Sequence, residues 1–158
     1  NNNCSNGITF YKFCGTIHLP IEAVTVMIQR EAADRLCTPV GSRDSGAITV
    51  CTNYYAVPET LFHVSRGSFM PAPNVDSTVI RLNIRKKPAV TVSDEKKFFK
   101  MVKAAFAQRR KTAVNSIASG MSLPKDKVAE AITAAGLDVN VRAEKLSMQE
   151  LADICENL

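Results

Sequence analysis

Nowhere does the chain hold an apolar run approaching the ~18 residues that a membrane span needs. Nor does its start, NNNCSNGITFYKFC, follow the charged, then apolar, then small-residue order of a secretory leader. A soluble, cytoplasmic protein is therefore expected. Histidine is scarce: His18 and His63 lie far apart, and no metal-ligand spacing surrounds either. Cysteine is sparse and odd in number, at Cys4, Cys14, Cys37, Cys51 and Cys155, and no two have the two-residue spacing of a zinc knuckle or redox motif. These absences argue against a disulfide framework and point to no metal centre, and the thiols read as buried or incidental ones in a reducing compartment. Internal repeats and low-complexity segments are also missing.

What is present is a core and a charge imbalance. Of the 158 residues, 46% are hydrophobic, enough to support a packed interior. The net charge of +5 is unevenly spread. Ten basic and two acidic residues fall between Arg85 and Lys111, whereas the remainder of the chain carries ten basic and thirteen acidic ones. A strongly basic block on a mildly acidic body suits a polyanionic partner.

Residues 1–18 show neither helical nor strand periodicity and read as irregular. AVTVMIQ (23–29) has the β-branched, apolar character of a buried parallel strand, and REAADRLC (30–37) follows it as a helix. TPVGSRDSG (38–46) is a loop. AITVCTNYYAV (47–57) satisfies both strand propensity and helical spacing and stays ambiguous, whereas TLFHVS (60–65) and DSTVIRLNI (76–84) read as strands. RKKPAVTVS (85–93) is a linker to a helical tail. Ser93 is the expected N-cap of one long helix reaching about Ser119, with Phe98, Val102, Ala105, Phe106, Ala113 and Ile117 as its apolar stripe and Lys96, Lys100, Lys103 and Arg110 on one solvated face. A second helix starts near Pro124 and ends at Gly136, and a third starts at Ser147 with Glu150 completing a capping box.

Three stretches carry chemistry. In FMPAPNVDSTVIRL (69–82), Pro71 and Pro73 restrict their own and the preceding backbone angles, which restrains Phe69 at the entry to a strand. A ring held this way suits stacking on an unpaired nucleobase, but the residues alone favour the alternative, a buried ring plugging the edge of the core. In AAFAQRRKTAVNSI (104–117), Arg109, Arg110 and Lys111 would fan through about 200° of a helix and, with Lys100 and Lys103, grip a phosphate backbone from two sides. An ordinary solvated face is the alternative, and the local charge excess favours phosphate. In TVMIQREAADRL (25–36), a strand running straight into a helix is the skeleton of a doubly wound sheet, with Gln29 and Arg30 at the ligand-facing strand end, although a purely structural turn is the favoured reading of this segment alone.

Together these stretches resemble the ribosomal RNA adenine dimethyltransferases. The likeness runs from about Leu19 to Leu158 and rests on LPIEAVTVMIQREAADRL, on SRDSG followed by NYY, on FMPAPNVDSTVIRL, on FFKMVKAAFAQRRKTAVNSI and on RAEKLSMQELADI. Macrolide-resistance RNA methylases share a similar loop. The resemblance implies an α/β fold, the C-terminal portion of a Rossmann-like methyltransferase sheet over residues 19–87, followed by a small all-helical RNA-binding domain over 88–158. It implies S-adenosylmethionine as methyl donor in the full-length family, small-subunit ribosomal RNA as partner, Phe69 as the ring that stacks on a flipped-out adenine, and Lys100, Lys103, Arg109, Arg110 and Lys111 as RNA contacts. It also resolves 47–55 toward helix.

The family's glycine-rich cofactor loop, its ribose-binding acidic residue and its Asn-Leu-Pro-Tyr motif do not occur in the chain, and residues 1–18 are expected to be unrelated to the family. A truncated gene, a fragment or a shifted frame would account for this. The chain alone is expected to bind no S-adenosylmethionine, to lack catalytic residues and to be inactive, and its exposed sheet edge is expected to allow a homodimer. Two rivals remain: a stand-alone basic RNA- or DNA-binding module, and a structural protein whose basic face only solubilises it.

Overall fold

A computed structural model describes residues 21–158. The expectation of an irregular 1–18 lies outside the described residues. Three strands, β1 (Ala23–Gln29), β2 (Ala56–Val64) and β3 (Ser77–Ile84), form a sheet in the order β1-β3-β2. Both outer strands run antiparallel to β3, which corrects the expectation that β1 is a buried parallel strand. Alternate residues of β1 are exposed as well. The apolar run of β1 misled because a one-sided strand of Val, Met and Ile looks like a two-sided one when its outer residues are also apolar.

Residues alternate cleanly along β3. Thr78, Ile80 and Leu82 are buried, and Arg81 faces solvent. On the inner face, Ile80 and Leu82 meet Ala33 of α1 (Arg30–Cys37) and Ala56, with Val24, Val26, Ile28 and Leu36 closing the cluster. On the outer face, Val79 lies opposite both Met27 and Phe62, and those two are about half exposed. The β2 register slips between Thr60 and Phe62, an extra residue that turns Phe62 to the outer face. Pro58 is tolerated because β2 is an edge strand.

The ambiguous 47–57 segment divides. Ala47–Tyr55 is helix α2, and the chain enters β2 at Ala56 with no intervening residue. Residues 85–94 hold neither helix nor strand, but their backbone is anchored: Arg85 N donates to Tyr55 O at 2.8 Å and Ala89 N to Tyr54 O at 3.0 Å. Four helices follow, α3 (Glu95–Phe106), α4 (Ala113–Met121), α5 (Lys125–Ala134) and α6 (Met148–Asn157). Their shared core contains Phe98, Met101, Val102, Ile117, Val128, Ile132, Leu146, Leu151 and Ile154. Val50, Cys51 and Tyr54 of α2 pack into it too, so α2 joins the core of the C-terminal helices. Tyr54 is its aromatic centre, 5.1 Å from Phe99 edge-on and 5.5 Å from Phe98.

The expected long helix from Ser93 to Ser119 is two helices. Asp94, not Ser93, caps α3 by accepting from Lys97 N at 3.0 Å, and Ser93 is engaged instead by Glu156 of α6. Residues 107–112 form a turn, and Thr112 starts α4 by accepting from Asn115 N. The expected stripe residues are still inward-facing, but Ala113 and Ile117 reach the core from a second helix. Helix α5 begins one residue after Pro124 and closes at Gly136 (φ 76°), with Leu137 N donating to Ile132 O and Gly136 N to Thr133 O. Helix α6 starts at Ser147 with the reciprocal Ser147–Glu150 capping box. No described helix is long and apolar enough to cross a membrane.

Candidate nucleic-acid interface

The proline loop sits where β2 turns back into β3. Ser65 caps a single 3-10 turn at Arg66–Ser68 by accepting from Gly67 N at 3.3 Å. Asp76 closes the loop: its Oδ1 accepts from Arg66 N at 2.9 Å and its carbonyl accepts from Arg30 N at 3.0 Å, so the loop base is tied to the first residue of α1. Between these ties Phe69 is extended (φ −119°, ψ 150°), and Met70, the residue before Pro71, is wholly exposed. Phe69 is half-buried and belongs to neither of the two described cores.

Beside the loop lies a cleft of about 510 Å³ between Gln29, Arg30, Glu31 and Asp34 on one side and Arg66, Asn74, Val75 and Asp76 on the other. Gln29 and Arg30, singled out from the strand-to-helix pattern, are thus brought to it. Two arginines face three carboxylates here, a mixture of donors and acceptors suited to a polar heterocycle rather than to a row of phosphates.

The cationic residues lie elsewhere. Arg109, Arg110 and Lys111 are not on a helix; they occupy the turn between α3 and α4. The angular fan expected of them is therefore replaced by a loop whose shape comes from its bonds. Lys111 N donates to Gln108 O at 2.9 Å, Ser116 Oγ donates to Gln108 O at 3.3 Å, and the Arg109 guanidinium donates to Arg43 O at 3.0 Å. Lys103 and Arg109 line a second cleft of about 380 Å³ with Arg35, the Asp44–Thr49 segment, Phe106 and Ala107. Lys100, Arg110 and Lys111 are exposed and lie outside that lining. Asp34 lines the first cleft and Arg35 the second, so the two clefts meet α1 at neighbouring residues about 100° apart around the helix.

Sequence reasoning passed over Arg66 and Asp76, whose signal was their position bracketing the prolines, and Arg35 and Ser45, which carried no local signal at all. Among the described residues no group of three or more His, Cys, Asp or Glu side chains could hold a metal.

S-adenosylmethionine, the donor implied by the resemblance, does not fit the described residues. A donor cradle needs backbone amides presented by a glycine turn between strand and helix. Here β1 passes into α1 without an intervening residue, and the cleft at that junction is lined by charged side chains.

The sequence model of the family described as "Ribosomal RNA adenine dimethylase" matches residues 2–158, a match that begins well before Leu19. "Ribosomal RNA small subunit methyltransferase A" of Anoxybacillus flavithermus is 44% identical over 146 residues, covering 90% of this chain and 50% of that protein. The chain thus spans about half the length of the curated relatives it matches. Among solved structures, a dimethyladenosine transferase from Plasmodium falciparum superposes with a TM-score of 0.71 at 17% identity, covering 90% of this chain and 59% of that one. The 23S rRNA methyltransferase ErmE superposes with a TM-score of 0.60 at 25% identity, covering 96% and 61%. The first of these likenesses bears on fold alone. The family match over residues 2–158 places this chain in the ribosomal RNA adenine dimethylase family.

Proposed function

We propose that this chain supplies the base-stacking loop and the phosphate-gripping surface of a cytoplasmic enzyme that dimethylates adjacent adenines of small-subunit ribosomal RNA with S-adenosylmethionine. Phe69 stacks on the extruded adenine, and Lys100, Lys103, Arg109, Arg110 and Lys111 contact the RNA backbone. The observation that carries this reading is the Phe69 ring held outside both cores on a loop tied to the strand end by Asp76, next to a cleft of mixed hydrogen-bonding groups. Chemistry on a base requires taking it out of its stack, and a fixed ring offsets the lost stacking by ~1–3 kcal/mol.

Division of labour supports the same reading. The loop cleft is charge-mixed and the other cleft is cationic, as expected if one takes a base and the other a backbone. The 158 residues lack the glycine-rich turn and the Asn-Leu-Pro-Tyr motif, so this polypeptide alone binds RNA without transferring methyl groups. A stand-alone binding module without enzyme ancestry has less support, given the family match over residues 2–158. Self-association is a further part of the proposal. It would run through an exposed sheet edge, since β1 and β2 are the outer strands of the described sheet.

The test is binding of the purified chain to naked small-subunit RNA at several salt concentrations, in parallel with radiolabelled methyl transfer. Salt-dependent binding without transfer is the expected result. Binding that ignores salt, or transfer by this polypeptide, would overturn it.

A further inference from the structure

We infer that the N-terminus of α2, with Ser45, is a phosphate seat, and that a backbone phosphate of the RNA occupies it. The inference rests on the RNA reading above and goes beyond it by naming a built anion site at residues 45–49.

Four observations meet in the second cleft. First, Ala47, Ile48 and Thr49 open a nine-residue helix, and their amides have no carbonyl one turn earlier to bond. The cap residue is Gly46, which has no side chain to accept from them. The helix start therefore presents donors and the positive end of its dipole. Second, Ser45 is 1% exposed, it lines the same cleft, and its hydroxyl has no hydrogen-bond partner. A buried hydroxyl left unsatisfied is costly, and an acceptor oxygen in the cleft would relieve it. Third, Lys103, Arg109 and Arg35 face the cleft against one carboxylate, Asp44, while Arg35 is partly engaged by Glu31 at 2.6 Å. Arg109 spends one guanidinium donor on Arg43 O at 3.0 Å, which fixes the group while leaving its other N–H donors available. Fourth, the seat is held in place from below: Thr49 Oγ1 donates to Arg35 O at 2.8 Å and accepts from Gly46 N at 3.1 Å, locking the helix start to the end of α1.

Neutral ligands gain nothing from this combination, and a carboxylate would meet fewer donors than a phosphate oxygen set. Phosphate also explains why a basic turn at 109–111 is bonded to the 38–46 loop: Arg109 carries charge to the seat.

The experiment has two arms. In the first, inorganic phosphate is titrated against chloride at matched ionic strength, and backbone amide resonances are followed. Resonances of Ser45–Thr49 should move, and Ser45→Ala or Lys103→Gln should weaken the apparent affinity roughly tenfold, whereas Lys127→Gln, exposed on α5 and outside both clefts, should leave it unchanged. In the second, a small-subunit RNA fragment replaces phosphate; the same amides should move, and Lys103→Gln should lower the salt slope of binding by about one log unit. RNA binding that leaves the 45–49 amides and the Ser45→Ala affinity untouched would overturn the seat while sparing the RNA reading. Phosphate binding at 45–49 with no RNA binding would overturn the RNA reading and, with it, the assignment to an RNA phosphate. Both variants are checked by their unchanged amide spectra elsewhere, so a folding defect cannot imitate either result.

Discussion

A Cβ placed on Gly120 would lie 2.5 Å from Cβ of Ala104 and 2.9 Å from its Cα. Helices α3 and α4 therefore touch backbone to backbone at this point, and the turn at 107–112 that carries the basic residues is drawn tight by the contact. Small residues on both sides allow the approach. Without it, Ala113 and Ile117 would not reach the core beside Phe98 and Val102.

Gly120→Ala is expected to destabilise the protein although alanine is the better helix former. The propensity gain is up to ~1 kcal/mol, and forcing a methyl into backbone contact costs roughly 1–3 kcal/mol. Urea unfolding should show a lowered midpoint, and the double change with Ala104→Gly should recover part of it. A raised midpoint for Gly120→Ala alone would show that the helices separate freely.

Phe69→Ala should spare the fold and weaken RNA binding. The ring is in neither core cluster, so its loss should move the unfolding midpoint little. Loss of base stacking should cost ~1–3 kcal/mol of affinity. Fluorescence of 2-aminopurine at the target adenine reports stacking directly. A variant that unfolds early but still quenches the probe would mean that the ring is structural.

Stability should fall at acid pH partly through Glu156. The hydrogen bond from the Ser93 hydroxyl, then that from Ser93 N, hold its carboxyl below the ordinary carboxylate range; desolvation opposes them, and Lys97 adds a weaker lowering. A carboxyl with a depressed folded pKa contributes fully above its unfolded value, ~4.3, and the contribution disappears as pH falls through the lower folded one. The gap in urea midpoint between the native chain and Glu156→Gln should thus be constant from pH 7 to about 5 and narrow below ~4. A gap that persists at pH 3 would count against this ion's role.

Thiol reagents should distinguish the described cysteines. Burial pushes the Cys155 thiol up, with Lys97 opposing and Glu156 and Asp94 adding. Cys51 and Cys155 are both buried, and Cys37 is half-buried at the end of α1. Labelling at neutral pH should therefore modify Cys37 first and reach Cys51 and Cys155 only as the chain opens. Mass spectrometry of tryptic peptides reads the order directly, and early labelling of Cys155 would show that α6 detaches.

Several elements were legible without coordinates because their signals are local. Ser147 with Glu150 marks the start of α6, Gly136 marks the end of α5 by tolerating a positive φ, and the alternation in 77–84 separates Ile80 and Leu82 from Arg81. The loop around Phe69 was equally readable, since proline acts on its neighbours whatever surrounds it. The break between α3 and α4 was not. Ala107, Gln108, Arg109, Arg110 and Lys111 all favour helix, and the one local hint was Thr112, a capping type placed before Ala113.

The residue order alone settles the family, the proline-restrained ring and the local surplus of positive charge, because each is a property of neighbouring residues. Which cations meet, and what they meet, required the folded chain. Lys103, Arg109 and Arg35 come from three different segments, and they converge on Ser45 and the start of α2 only because the α3–α4 turn bonds to Arg43 and Thr49 bonds to α1. Such contacts between distant segments depend on packing geometry, and no short-range pattern of residues encodes them.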